Sequence, residues 1–145
     1  MPDRDWSLVI FTTLAQLSIG LVWCFTLLLV FYNDMSLIPV SGLFLKSPVF
    51  IALVLIAIAT LVSMSHLGSP LNAPNSLNNL SGSWLSREIL AIAVYSVSLV
   101  LVLVSVRVFG YARSTQYFLL LSSVLGLVLL WMMSRIYLMP NQAKH

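Results

Sequence analysis

Apolar residues run almost unbroken through four stretches of the chain, at about 8–31, 48–67, 88–108 and 117–137, and polar residues collect between them. Each stretch is close to the ~20 residues that cross a bilayer core as a helix. The pattern predicts an all-α, polytopic membrane protein: four transmembrane helices in a bundle, read as a single domain over residues 1–145. With four spans, both ends of the chain are expected on the same side of the membrane.

The second run is the shortest. Extending it to His66 or Leu67 places Gly68 and Pro70 in its C-terminal stop, since glycine and proline end helices. The stretch from Ser65 to Arg87 is rich in Ser, Asn, Gly and Pro and reads as the only long loop. The first connection, Tyr32 to Ser47, is shorter and holds Asp34, Pro39 and Lys46. The third, Phe109 to Gln116, carries Arg113, with Arg107 just inside its edge. No internal repeat is visible. The opening Met1-Pro2-Asp3-Arg4-Asp5 contains two acids, the first run is longer than a secretory h-region, and no small-residue cleavage site follows it. The first run is therefore expected to be a retained helix.

Composition agrees with the pattern. With 60% hydrophobic and 8% charged residues and a mean hydropathy of +1.02, the chain has too little polar surface to cover a soluble globule. The net charge of +3 suits contact with anionic lipid, and no basic run points to nucleic acid. Arg4, Arg87, Arg135 and Lys144 fall on the face of the termini, against Lys46, Arg107 and Arg113 on the other, a balance too even to orient the protein. The single cysteine, Cys24, permits neither an internal disulfide nor a cysteine-based metal site. A bis-histidine haem is unexpected as well, because the two histidines are His66 and the terminal His145.

Alternate spans run in opposite directions, so the start of the first, the end of the second, the start of the third and the end of the fourth meet one membrane face. His66, Glu88 and Arg135 share that face. Gln16 joins them, about eight residues or ~12 Å into the first span at 1.5 Å per residue. Trp6, Trp84, Trp131 and Tyr137 lie near the same level. Ionisable groups in or beside a span are costly without a partner or a wet cavity, which marks these residues as a candidate site. Structural roles are open to each of them. Glu88 can cap the third span together with Ser86, and His66 suits the C-terminal dipole of the second. Arg135 can snorkel or pair with Glu88, Gln16 can hydrogen-bond a neighbouring helix, and the aromatic residues can form an interface belt.

Several segments resemble the membrane-anchor subunit, the C subunit, of bacterial anaerobic dimethyl sulfoxide reductase. They are His66-Leu67-Gly68-Ser69-Pro70, then Ala73, Asn75-Ser76-Leu77, and Leu85-Ser86-Arg87-Glu88-Ile89. Trp6-Ser7-Leu8-Val9-Ile10-Phe11-Thr12 with Gln16 fits, as does Trp131-Met132-Met133-Ser134-Arg135-Ile136-Tyr137. The resemblance implies a multi-pass anchor in the bacterial inner membrane that oxidises menaquinol. It would hold an iron-sulfur electron-transfer subunit and a molybdopterin catalytic subunit, so that the molybdopterin and the iron-sulfur clusters sit on partners and no haem or metal sits on this chain. The family associates the histidine of the HLGSP tract and the glutamate opening the next helix with the quinol site; these fall on His66 and Glu88. Gln16 and Arg135 join them only through the shared face. Family members have about twice this length and eight spans, and the sequence resembles their N-terminal half.

The implied chemistry suits these residues. Oxidising a quinol releases two protons with two electrons, so the ring hydroxyls need acceptors and the protons a way out. Glu88 could take one proton; burial and a nearby Arg135 would act on its proton affinity in opposite senses. His66, with an ordinary pKa of ~6.5, could hold the other hydroxyl or relay a proton. Such a protein would be a non-autonomous part of an oxidoreductase, with terminal reduction on another chain. Two other classes remain open: a purely structural anchor or assembly protein, and a small proton-coupled transporter using Glu88 and His66.

Overall fold

A computed structural model describes residues 3–31, 42–64, 84–109 and 113–138. They form four helices, α1 (Asp3–Phe31), α2 (Gly42–Met64), α3 (Trp84–Phe109) and α4 (Arg113–Leu138). Each contains a segment long and apolar enough to cross a membrane: Trp6–Phe31, Ser47–Met64, Ser86–Phe109 and Ser114–Arg135. The fold is all-helical, as the apolar pattern predicts. Every helix nevertheless begins before its apolar run. α1 starts at Asp3 rather than residue 8, α2 at Gly42 rather than 48, α3 at Trp84 rather than 88 and α4 at Arg113 rather than 117. Hydropathy locates the stretch that lipid can cover, whereas the helical hydrogen-bond ladder continues into polar sequence. Pro48 accordingly lies inside α2, where it removes the hydrogen bond to the carbonyl of residue 44 and its ring crowds that carbonyl. The expected extension of the second helix to His66 or Leu67 lies outside the described residues, as do the side chains of Lys46, Trp84 and Tyr137.

The helices form a ring in which α1 packs on α2 and α4, and α3 packs on α2 and α4. Contacts running 26 to 123 and 19 to 126 show that α1 and α4 are antiparallel. The inward faces follow three- and four-residue steps: Phe11, Ala15, Ile19, Val22, Phe25 and Leu29 on α1; Val49, Ala52, Ile56 and Ala59 on α2; Ile92, Tyr95, Leu99, Val102 and Val106 on α3. This is the spacing that gathers one stripe of each helix toward its neighbours. The outward faces are equally apolar, with Leu17, Phe50, Val97 and Val124 all more than half exposed, as lipid contact requires.

Small residues bring the backbones together. Ala15, Ala52 and Ala59 are fully buried, and a Cβ on Gly126 would lie 2.9 Å from Ile19 Cγ2 and 3.4 Å from Tyr95 Cε2. Polar side chains then link the helices. Ser18 Oγ donates to the Ala52 carbonyl at 2.7 Å and lies 3.2 Å from the Tyr95 hydroxyl. Since the single Ser18 proton goes to Ala52, Tyr95 donates to Ser18, and one serine joins α1, α2 and α3. Between α1 and α4, Trp23 Nε1 donates to the Ser123 carbonyl at 3.0 Å. Thr26 and Ser123 meet hydroxyl to hydroxyl at 2.7 Å, and each is also within reach of a carbonyl on its own helix, Val22 and Leu119. Among the described residues no buried side-chain nitrogen or oxygen lacks a partner.

Four substitutions test this packing, all read as unfolding midpoints of the detergent-purified protein. Gly126→Ala should cost roughly 1–3 kcal/mol, because the β-branched Ile19 is stiff and must be displaced. Gly20→Ala, where a Cβ would meet nothing within 4 Å, should instead be neutral or stabilise by up to ~1 kcal/mol. Tyr95→Phe removes one donor and should cost about 0.6 kcal/mol, an average for hydrogen bonds between membrane helices. Ser18→Ala strands the Tyr95 hydroxyl and should cost more, ~1–3 kcal/mol.

Candidate functional site

α2 ends and α3 begins at the same level of the bundle, and the seam between them opens into a cavity of about 450 Å³. Phe11 of α1 contributes to it, together with Ala57, Thr60, Leu61, Ser63 and Met64 of α2. From α3 come Glu88, Ile92 and Ser96, one helical turn apart along a single face, with Ile89 and Ala93 beside them. Small side chains at Ala57, Ser63, Ala93 and Ser96 leave the space that larger ones fill elsewhere in the ring. The lining is predominantly apolar, and among the described residues Glu88 is its only ionisable member.

Glu88 is 8% exposed. It does not open its helix: α3 starts at Trp84, so Glu88 lies past the first turn, and Ser86 is a buried helical residue. The reading of Ser86 and Glu88 as a cap is therefore corrected. A cap satisfies the amides of the first turn, and those amides belong to residues before Glu88. Its neighbour Arg87 turns away from the cavity into a separate groove with Leu90, Ala91, Val94, Leu125, Val128 and Met132, between α3 and α4.

The other candidates are placed elsewhere. Gln16 is exposed and lines a groove between α1 and α2 with Thr13, Leu17, Gly20, Leu21, Cys24 and Leu55. Arg135 is exposed on α4, its guanidinium carbon 5.9 Å from the centre of the Trp131 ring, a cation–π distance. Neither residue lines the Glu88 cavity. His66 lies outside the described residues; in sequence it follows Met64, a lining residue at the end of α2, by two positions. Hydropathy gave no hint of Phe11, Thr60, Ser63 and Ser96. The recoverable signal was the four-residue repeat Glu88, Ile92, Ser96 facing the end of an antiparallel α2.

The arrangement can hold an amphiphilic molecule with an apolar body and a group able to hydrogen-bond or exchange a proton with a carboxyl group. Comparison with known proteins narrows the setting. The sequence is 36% identical over 88 residues to the C subunit of the anaerobic dimethyl sulfoxide reductase of Haemophilus influenzae, covering 61% of this protein and 30% of that one. It is 34% identical over 142 residues to the YnfH subunit of an anaerobic dimethyl sulfoxide reductase of Escherichia coli K12, covering 92% and 46%. A third relative, the anaerobic dimethyl sulfoxide reductase C subunit of the same organism, is 37% identical over 86 residues, covering 58% of this protein and 30% of that one. The sequence thus spans less than half the length of the curated relatives it matches. No solved structure matches. The family described as DMSO reductase anchor subunit (DmsC) matches residues 2–143, and with nearly the whole sequence and all four spanning helices inside that match, this protein belongs to the family of DMSO reductase anchor subunits.

Proposed function

We propose that the cavity between α2 and α3 binds menaquinol and that Glu88 takes a proton from it as the quinol is oxidised. The observation that carries this reading is a nearly buried carboxyl group that is, among the described residues, the only ionisable side chain of a mainly apolar cavity beside a membrane-boundary helix end. A buried carboxyl is expensive in a span and is expected where it does chemistry. Loss of two electrons and two protons converts the quinol to the quinone. Glu88 accepts the proton of one ring hydroxyl, and His66, two residues beyond α2, serves the other or passes a proton outward.

The electrons leave to an iron-sulfur subunit and onward to a molybdopterin catalytic subunit, which reduces the terminal acceptor. The names of the relatives support that setting, because they are subunits of anaerobic dimethyl sulfoxide reductases. The bacterial inner membrane is the corresponding location. Gln16 and Arg135 are assigned outer parts: Gln16 as a polar contact on α1, Arg135 as an interface anchor with Trp131 that places α4 at the level of the quinol head.

Glu88→Gln keeps the side-chain volume and removes the base. In membranes carrying this protein with the partner subunits at matched expression, quinol-driven acceptor reduction should fall by roughly 10²-fold or more, the usual scale of general-base catalysis. His66→Ala should slow it too, with insertion and assembly of both variants intact. Unchanged electron flow in both would assign the protein a purely structural anchoring role. Proton-coupled flux of a solute into vesicles lacking the partners would assign it to transport.

A further inference from the structure

The Glu88 cavity has an inner and an outer side. On the inner side Phe11, Glu88 and Ile92 are 3%, 8% and 9% exposed. On the outer side Leu61 is 67% exposed, and Ala57 of α2 and Ala93 of α3 are exposed as well. The space therefore opens between two membrane helices onto the exposed outer surface of the bundle. Its long direction follows α3 from Glu88 to Ser96, two turns or ~12 Å. Glu88 marks the end at the membrane boundary; Ala57, Ala93 and Ser96 mark the end toward the bilayer centre. Polarity falls along the same direction, from a carboxyl to methyl groups and one hydroxyl.

We infer that Ala57 and Ala93 frame a lateral portal through which the isoprenoid tail of a quinol leaves the cavity into the hydrocarbon while its ring lies toward Glu88. The inference rests on the quinol-site reading and adds the route that the apolar tail takes. Alanine at both posts leaves a gap that a larger side chain would close. Tail and portal share the apolar medium, so the ligand slides in sideways from the bilayer without crossing water. Because both posts are exposed on the outside of the bundle, enlarging either one leaves the interlocked core untouched.

The test is displacement of a fluorescent quinol analogue from membranes containing the full protein by two competitors, a naphthoquinol with a long prenyl tail and the same naphthoquinol without one. Ala93→Trp, and independently Ala57→Trp, should weaken the tailed competitor at least roughly tenfold and change the tail-less one less than about twofold. Ala93→Ser, which keeps the gap, should resemble the native protein for both. Equal weakening of both competitors, or no change in either, would overturn the portal and leave the quinol site standing. Failure of the native protein to bind the analogue or either competitor would overturn both.

Discussion

Lipid tails are as apolar as leucine, so burying leucine between membrane helices gains little over leaving it in the bilayer; close packing and hydrogen bonds between helices must supply the difference. Everything in this bundle follows from that constraint. Ala15, Ala52, Ala59 and Gly126 let the backbones approach. At the distance they create, short hydroxyl side chains can reach a neighbouring helix, and Ser18 joins α1 to the Ala52 carbonyl of α2 and the Tyr95 hydroxyl of α3. Packing and bonding are one arrangement here: a larger residue at the close approaches would separate the helices, and the hydroxyl groups would lose their partners.

The cavity is where this arrangement is relaxed. Along α2 and α3 near the membrane boundary, alanine and serine appear with no described helix pressed into the space they leave. A carboxyl at Glu88 adds a desolvation cost that neutral packing there would avoid. A void and a buried acid are both unfavourable in isolation. Under the proposed reading a ligand occupies the first and addresses the second, and binding to the folded state alone returns stability.

The number and approximate position of the helices were legible in the sequence because lipid imposes one requirement on all four, a long apolar run. The arrangement around each helix was not. In a soluble helix the polar face marks the outside, whereas here Leu17 faces lipid and Ile19 the core with nothing in their chemistry to tell them apart. Counting residues along a span gives depth and leaves direction open. Gln16 was therefore placed at a sensible level, yet it sits next to the fully buried Ala15 and points into another groove. Arg87 and Glu88 show the same effect, adjacent in sequence and divided between two grooves. The start of α3 was misjudged for a different reason: Ser86-Arg87-Glu88 has the composition of a helix opening, and helical residues already precede it at Trp84. Family resemblance supplied what periodicity could not, by singling out Glu88 among the polar residues of that face.

The meeting of Thr26 and Ser123 sets three acceptors against two protons: the carbonyls of Val22 and Leu119 and one hydroxyl of the pair itself. Two hydrogen bonds can form at a time, and they can be chosen in more than one way. Rotating a hydroxyl can thus exchange one acceptor for another, with neither hydroxyl proton left bare in a medium that has no water to cover it. The junction therefore holds α1 to α4 through more than one set of hydroxyl hydrogen bonds, and its connection does not depend on any single choice among them.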